Sequence, residues 1–536
     1  MQIIPDSGRP SGSYWCSWRT QRLSVSDSII RSKLQERGYH SLYDRSLRET
    51  ISDEWLFVSP GVVSNYMERI RGDLIVLLDD GWDIPLERND DRSYSEFGSL
   101  EANPRRFPYG DTPKERLAVI SDKVKSLGYA GLGLWIPLQA VGERKNELLP
   151  LEEFTEYWAE RARWCQYAGV RYVKVDWGFH NNNRLGNNKA AFDHCVSYRT
   201  GLTRAFRENA PDVMVEHTMV QGSFYTPLDN DGSDFVNRLT DISDVYRLYD
   251  ISPSFNTVTT LARAAEIMAL HTSGCGDGCL VNTGEEPYVA ATLGMTMGMM
   301  SHPFISGTAL SARPAGMVNG IMQTSLLRAD FYDYDWYERA LLWQRICPPV
   351  PLGGCKVNIS DKKLTDSWTF SREPYPYYPQ KLIGSTMTQT APAAIARGTR
   401  LPEAVSDGYL PYLTAFQHPT SAAYAVGMLA RTVDGVMNNT VPLASVTAYP
   451  GNADQTIGIF GPCRQIDLVF DTPVADRRVF LGGMLEAEAA DVTSGVSFPS
   501  PNVLRIPGSL LGEAGIAGQS ADDYSEPASV IRLIGD

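Results

Sequence analysis

Carboxylates and basic side chains stand at the ends of several short apolar runs of this sequence. Asp79 and Asp80 follow one run, Lys174 and Asp176 end another, and Arg247 ends a third. Such groups can act as nucleophiles, acids or bases, and they can bind hydroxyl groups. A single aspartate after a strand could simply cap a helix or form a turn. Their repetition at successive runs instead indicates a site.

Lys174 and Asp176 carry the strongest signal because they are two residues apart in the run YVKVD. Side chains two residues apart on a strand point to the same face. A lysine beside an aspartate on that face keeps the carboxylate ionised, as a nucleophile needs. We therefore predict that Asp176 is a catalytic carboxylate.

The elements that position these residues are short apolar runs alternating with longer amphipathic stretches, which is typical of β/α units around a parallel sheet. Eight predicted strands match the count of a (β/α)8 TIM barrel, whose reactive residues lie at the carboxyl ends of the strands. The methionine-rich run 293–300 is predicted as the buried face of a barrel helix. The predicted strands are 13–18, 74–78, 132–136, 172–175, 213–216, 245–251, 279–282 and 303–306, and two predicted helices are 113–127 and 188–209.

A change in composition and in the length of the apolar segments after about residue 345 predicts a second domain. Residues 1–345 are predicted to form the barrel, with an insertion near 19–70. Residues 346–536 carry short segments rich in Val, Thr and Tyr between Pro and Gly, which favour an antiparallel β-sandwich. Residues 350–410 are predicted to be an irregular connection at its start.

Composition excludes several classes of protein. The 49 Lys and Arg against 63 Asp and Glu give a net charge of −14, which disfavours nucleic acid as a partner. No apolar run reaches the length of a membrane span, and no signal peptide is visible. We expect a cytoplasmic protein, or a secreted one already trimmed, that needs no membrane, metal or cofactor. The sequence leaves a homo-oligomer open.

Six segments in order resemble the clan D glycoside hydrolases, the α-galactosidase and α-N-acetylgalactosaminidase group of families twenty-seven and thirty-six. The chain is identified as a divergent member of that group. The resemblance covers about 240 residues and agrees with the strand assignment. The matching segments are LLDDGWD (77–83), RRFPYG (105–110), GLGLWIP (131–137), YVKVDWG (172–178), YRLYDISPSF (246–255) and the stretch 276–307.

The resemblance implies a role for each matched residue. Asp176 would be the nucleophile that forms a covalent glycosyl-enzyme, and Asp250 the acid/base. Lys174 would donate a hydrogen bond to the sugar, Arg247 would contact a hydroxyl beside the anomeric carbon, and Trp18 would stack on the ring. The full set of predicted substrate-binding residues is Trp18, Asp79, Asp80, Trp82, Trp135, Lys174, Trp177, Glu216, His217, Arg247 and Asp277.

The acid/base assignment has rivals. One residue fewer than in the family separates Arg247 from Asp250, and the upstream copy RLTDISD offers Asp241 and Asp244. We favour Asp250 because an aromatic residue and Arg247 precede it and Ile251 follows it. The strand-five segment VEHTMVQG (215–222) does not spell the specificity loop of the family, so Glu216 and His217 are candidates by position alone.

The sequence therefore predicts a retaining glycoside hydrolase that cleaves a terminal α-linked sugar by double displacement. The alternatives are a clan relative with another specificity, for example for an arabinoside, or a transglycosidase. Two alternatives are weaker. One is a metal-dependent barrel hydrolase, which is disfavoured because Lys174 would repel a metal ion from the same carboxylates. The other is a non-catalytic sugar-binding protein.

Overall fold

The structure is a computed structural model. It describes residues 1–18, 20–21, 50–58, 61–83, 98–140, 149–180, 189–218, 232–248, 257–300, 334–369, 386–433, 438–486, 488–520 and 525–535. Within these ranges, no helix is long and apolar enough to cross a bilayer.

Eight parallel strands form one sheet in the order β7-β6-β5-β4-β3-β2-β1-β8. A parallel bridge between Asn282 and Thr296 links the two ends of the sheet and closes it into a barrel. The predicted (β/α)8 barrel is therefore confirmed. The strands are β1 (Tyr14–Cys16), β2 (Ile75–Leu78), β3 (Gly131–Ile136), β4 (Tyr172–Val175), β5 (Met214–Thr218), β6 (Val245–Arg247), β7 (Leu280–Asn282) and β8 (Gly298–Met299).

The first two helices outside the barrel bury one face each. The first of them begins with Pro113 after a capping box, in which Thr112 and Glu115 bond each other's backbone N–H groups. The second ends at Gly169, whose φ of 64° suits glycine at a helix end. The helices are α1 (Pro113–Ser126), α2 (Leu151–Ala168), α3 (Lys189–Asn209), α4 (Gly232–Ile242), α5 (Thr257–Leu270), α6 (Pro287–Leu293) and α7 (Tyr334–Gln344).

The described eighth strand lies outside every strand that the sequence predicts. The eighth strand of the barrel is Gly298–Met299, within the methionine-rich run that was expected to be helical. The buried methionines of this run pack from an extended segment. The predicted strand 303–306 lies outside the described residues, as do most of the predicted insertion (22–49) and part of the predicted connection (370–385).

Two stacked sheets and two hairpins follow the barrel. One sheet has the order β22-β21-β25-β19-β15-β14-β12-β9 and the other β13-β18-β20-β24-β23. Most pairs are antiparallel as predicted, but β12–β14, β15–β19 and β18–β20 are parallel. A short helix, α8 (Gly508–Gly515), packs against β25. The strands are β9 (Val357–Ile359), β10 (Lys363–Thr369), β11 (Thr386–Pro392), β12 (Ala394–Arg397), β13 (Glu403–Val405), β14 (Tyr412–Gln417), β15 (Ala423–Leu429), β16 (Arg431–Val433), β17 (Asn438–Thr440), β18 (Ser445–Gly451), β19 (Thr456–Phe460), β20 (Gln465–Phe470), β21 (Arg478–Gly483), β22 (Ala490–Asp491), β23 (Ser497–Ser500), β24 (Val503–Pro507) and β25 (Ala528–Ile534).

The barrel and the β-domain share one hydrophobic core. Helix α6 is buried along its whole length between the barrel and the larger sheet. Tyr288 of α6 meets Phe460 of β19 edge-to-face at 5.0 Å between ring centroids. The β-domain thus covers one side of the barrel.

Candidate active site

The inside of the barrel is filled by alternate residues of each strand, as the period of two requires. The interior cluster contains Tyr14 and Cys16 from β1, Trp135 from β3 and Tyr172 from β4. Lys174 is two residues beyond Tyr172 and lies one layer higher, toward the carboxyl end of β4. The interior is therefore apolar and aromatic at its base and becomes charged toward this end.

Lys174 joins the two carboxylates that the sequence predicted for the site. Its Nζ donates to Asp79 Oδ2 at 2.9 Å and lies 3.6 Å from Asp176 Oδ2. The side chain of Lys174 is 2 % exposed, that of Asp79 4 % and that of Asp176 14 %. Asp176 thus keeps the largest open surface of the three, although a buried ammonium lies beside it.

Asp176 is held in one orientation by three groups. Trp135 Nε1 donates to its Oδ2 at 3.0 Å, and its own neighbour Trp177 donates a backbone N–H to its Oδ1 at 2.8 Å. The backbone N–H of Asp176 continues the ladder to Ile136 O at 2.9 Å. Hydrogen bonds to a carboxylate fix its direction. The arrangement suits a carboxylate that attacks a fixed atom.

Asp79 is engaged on both oxygens. Cys16 Sγ donates to Oδ2 at 3.0 Å, and the backbone N–H of Asp80 donates to Oδ1 at 2.8 Å. Burial raises the pKa of the Cys16 thiol well above its ordinary value, and Asp79 raises it further, so the thiol keeps its proton and remains a donor. Asp80 is buried beside Asp79.

Glu216 lies inside the barrel, fully buried, and three donors satisfy it. Tyr14 OH donates to Oε1 at 2.9 Å, while Tyr172 OH and Asn282 Nδ2 each donate to Oε2 at 2.8 Å. Arg247 in turn donates from Nη1 to Tyr14 OH. Glu216 therefore anchors the predicted sugar-binding Arg247 through Tyr14, and its own oxygens face protein donors.

Four tryptophans were predicted to contact the substrate. Two of them are partly exposed beside the interior cluster, and two are buried. Trp18 and Trp177 are half-buried, and the Trp177 ring packs on Trp135 at 5.5 Å. Trp135 is buried and reaches the site through its indole N–H. Trp82 is fully buried in the core outside the strands, with Nε1 donating to Trp135 O at 2.9 Å. In this structure, Trp82 offers no face to a ligand.

His217 and Asp277 do not lie in the site. His217 follows the inward-facing Glu216 and so faces outward, where it contacts Arg199 and Thr203 of α3 at 2.9 and 2.7 Å. Asp277 precedes β7 and therefore lies at the amino end of the barrel, where His271 Nε2 is 2.9 Å from its Oδ1. The structure therefore does not place these two predicted substrate-binding residues in the site. The His217 side chain points out of the barrel, and Asp277 lies at the end of the barrel opposite to Asp176.

The rivals for the acid/base also lie away from Asp176. Asp241 is exposed near the end of α4, before β6 begins. Asp244 stands directly before β6 and accepts a hydrogen bond from the backbone N–H of Val215 at 2.9 Å, at the amino end of the neighbouring strand. Asp250, which follows β6 on the carboxyl side, lies outside the described residues.

The position between the site's carboxylates is taken by an ammonium group. Lys174 Nζ is within ion-pair distance of both Asp79 and Asp176, where a bound cation would have to lie. In the parts of the chain that the structure describes, no group of three His, Cys, Asp or Glu side chains is arranged to hold a metal ion.

Four residues of the site were missed from the sequence: Tyr14, Cys16, Tyr172 and Asn282. A signal existed for three of them. Tyr14 and Cys16 share a face of β1, and Tyr172 shares a face with Lys174, because they are two residues apart. The sequence alone does not distinguish them from core residues, because tyrosine and cysteine are common on buried strands.

Comparisons with known proteins give distant likenesses only. The sequence matches no protein-family model and no curated protein. Among solved structures, α-galactosidase of Saccharomyces cerevisiae in complex with raffinose is 9 % identical, with 99 % of this chain and 97 % of that one covered and a TM-score of 0.37. A family 27 β-L-arabinopyranosidase of Geobacillus stearothermophilus is 13 % identical over 75 % of this chain and 98 % of that one, with a TM-score of 0.34. An α-amylase of Anoxybacillus is 8 % identical over 98 % of both chains, with a TM-score of 0.41. Values this low carry no argument about function.

Proposed function

We propose that this protein is a retaining glycoside hydrolase that cleaves a terminal α-linked sugar, with an α-galactoside as the first substrate to test. The observation that supports this most directly is the Asp176 carboxylate at the carboxyl end of β4. Two N–H donors orient it, and the buried Lys174 ammonium lies 3.6 Å away. Retaining hydrolysis needs such a carboxylate opposite a second carboxyl group, at roughly 5–5.5 Å.

In the first step, an oxygen of Asp176 attacks the anomeric carbon from the side opposite the leaving group. The glycosidic bond breaks, a glycosyl ester forms, and Asp250 is proposed to give its proton to the leaving oxygen. In the second step, Asp250 takes a proton from water, which attacks the same carbon and releases Asp176 as a carboxylate. Lys174 and the N–H groups of Trp135 and Trp177 stabilise that returning charge.

The other charged groups are proposed to bind sugar hydroxyls. Asp79, Asp80 and Lys174 lie together beside the proposed nucleophile, and carboxylates and ammonium groups bind hydroxyls of fixed stereochemistry. Trp18 and Trp177 are the partly exposed aromatic faces, which suit the C–H side of a sugar ring. An arabinoside or a transglycosylation acceptor would use the same groups, so substrate screening decides between these options.

A panel of nitrophenyl α- and β-galactosides, arabinosides and N-acetylhexosaminides tests the activity, with NMR of the first-formed anomer. We expect hydrolysis of at least one α-glycoside with retained configuration, and loss of it by about 10³-fold or more in Asp176→Asn. Asp244→Asn is the matched control, since this carboxylate lies at the amino end of the barrel. An inverted product, or an active Asp176→Asn, would contradict the double displacement.

A further inference from the structure

A second polar cluster lies on the outer side of the barrel, away from the proposed active site. His217 of β5 and Tyr246 of β6 are directly paired in the strand register. Both alternate with inward-facing residues and therefore point toward the helices. Both are buried, and Arg199 of α3 lies over them, with Nη1 2.9 Å from His217 Nδ1.

Arg199 is fully buried without a counter-charge. Its Nε and Nη2 have no hydrogen-bond partner, and no carboxylate of the described residues lies within ion-pair distance of it. Burial, with Arg199 and Arg207 nearby, holds the pKa of His217 well below its ordinary value, so the imidazole is neutral. Because a guanidinium can only donate, His217 Nδ1 must be the acceptor. It accepts one hydrogen bond and supplies no negative charge.

Three other buried arginines have partners for their charge or their N–H groups, whereas Arg339, like Arg199, leaves Nε and Nη2 without a hydrogen bond. Arg345 forms an ion pair with Asp73 at 2.7 Å, Arg431 pairs with Asp366, and Arg397 donates to four backbone carbonyl oxygens. An uncompensated buried charge is costly, because it loses its hydration and gains nothing in return. Arg199 therefore lacks the carboxylate partner that Arg345 and Arg431 have, and it donates fewer hydrogen bonds than Arg397.

The neighbouring Tyr246 hydroxyl also lacks a partner. Its oxygen is buried and forms no hydrogen bond. Burial raises the pKa of Tyr246 above its ordinary value, so the hydroxyl keeps its proton, and Arg199 and Arg263 are the cations that act on it most strongly. Glu266 is a carboxylate that acts on both Tyr246 and Arg263, but its side chain is exposed on α5. The buried atoms left without a partner are thus all able to donate a hydrogen bond, and the buried charge of the cluster is that of Arg199.

We propose that this cluster binds a small monovalent anion, such as chloride, between α3 and strands β5 and β6. Arg199 Nε and Nη2 and the Tyr246 hydroxyl would donate to it. A water molecule could accept the same hydrogen bonds but would leave the guanidinium charge uncompensated, whereas an anion satisfies both needs. The site is independent of the proposed glycosidase activity.

Thermal unfolding of the full-length protein in sodium chloride and in sodium gluconate, at equal ionic strength, tests the proposal. An anion that binds only the folded state raises the unfolding midpoint as its concentration increases. We expect the midpoint to rise by about 2 °C or more between roughly 1 and 100 mM chloride, and not in gluconate. In crystals soaked with sodium bromide, an anomalous peak is expected in contact with Arg199 and Tyr246.

Variants identify the binding groups. Arg199→Met should lose the chloride dependence, and Tyr246→Phe, which keeps the guanidinium, should need several-fold more chloride for the same rise. Arg204→Met is the matched control: this arginine lies on the same helix and is exposed, and the variant should show the chloride dependence of the wild type. Equal midpoints of the wild type in both salts, or a crystal with no bromide at Arg199, would overturn the proposal, even if Arg199→Met does not fold.

Discussion

At the scale of single residues, Lys174 determines the electrostatics of the proposed active site. Its ammonium is nearly inaccessible and contacts two carboxylates, one of which, Asp79, is itself buried. Removing one partner of a buried ion pair leaves the other charge without compensation and costs about 3–5 kcal/mol. The residue therefore supports both the fold and the proposed nucleophile.

Lys174→Met is expected to lower the free energy of unfolding by about 3 kcal/mol and kcat/KM by about 10²-fold or more, because Asp79 and Asp176 lose their cation. Urea unfolding and steady-state kinetics on the glycoside found by screening measure the two effects. Lys189→Met is the control, since Lys189 is 61 % exposed in its pair with Asp193. A Lys174→Met protein as stable as the Lys189→Met protein would contradict the buried ion pair.

Asp83 is a buried carboxyl group that the sequence did not mark as a site residue. Its Oδ2 accepts the backbone N–H groups of Gly98 and Leu100 at 2.9 and 3.2 Å, while its Oδ1 has no partner. Burial raises the pKa of its carboxyl to about 7. In the unfolded chain an aspartate titrates near about 3.9, so the folded protein binds this proton more tightly. The stability that Asp83 contributes is complete below about pH 4 and is lost as the pH rises through 7.

Asp83→Asn is neutral at every pH, and its amide oxygen can accept the same two N–H groups. We expect the unfolding midpoint of the variant to exceed that of the wild type by more at pH 8 than at pH 5, because the ionised wild-type carboxylate is costly only at the higher pH. Thermal unfolding at the two pH values measures this difference, with the exposed Asp111→Asn as control. A gap between variant and wild type that does not change with pH would show that Asp83 titrates as in an unfolded chain.

At the scale of elements, the alternation of strands separates site residues from structural ones. Glu216 faces inward and His217 outward although they are adjacent, and the same holds for Arg247 and Tyr246. The strand ends are equally decisive. Asp176 follows β4 and reaches the site, whereas Asp277 precedes β7 and lies at the opposite end.

The loop after β4 is fastened to the loop after β3. Leu138 donates its backbone N–H to Trp177 O at 2.8 Å and accepts from His180 N at 3.0 Å. Gly178 lies against this backbone, and a Cβ there would come within 2.5 Å of the Leu138 carbonyl. Such an approach is possible only without a side chain, so the glycine sets how Asp176 and Trp177 are presented.

Gly178→Ala is therefore expected to displace this loop and lower kcat/KM by roughly 10–10²-fold, because small shifts of reacting groups are costly. Gly278→Ala is the matched control, since nothing lies within 4 Å of a Cβ at that position. Kinetics of both variants, with circular dichroism to compare their folds, measure the effect. Full activity of Gly178→Ala would show that the loop can yield without moving the nucleophile.

At the scale of the whole molecule, Arg397 connects the β-domain to the barrel. This buried residue of β12 donates to Leu293 O and Gly294 O at the end of α6, and to Val350 O and Pro351 O in the connection. Nearby, Thr292 and Thr414 hydroxyls bond across the interface at 2.6 Å. The β-domain therefore supplies part of the shared core and completes the backbone hydrogen bonding of the barrel's last helices.

Arg397→Met should leave these carbonyls without donors and lower the free energy of unfolding by about 3 kcal/mol, with one unfolding transition for the whole chain. Denaturant unfolding followed by tryptophan fluorescence measures both. Arg400→Met is the control, because Arg400 stacks on Tyr449 at 3.9 Å and is exposed. If Arg397→Met unfolded in two separate transitions, the barrel and the β-domain would be independent units.

The sequence by itself determined the barrel, seven of its strands and the joint orientation of Lys174 and Asp176. These features are local, because apolar runs and the alternation of side chains are visible within a few residues. It did not determine the eighth strand, because Gly and Met in 293–300 favour neither period clearly.

Only the tertiary structure decided which residues meet. The three donors to Glu216 come from β1, β4 and β7, and the neighbours of Asp79 come from β1 and β4. Trp82 lies in the core, and the side chain of His217 points toward α3 beside the proposed anion site. Contacts between strands far apart in sequence arise when the barrel closes, so no local pattern records them.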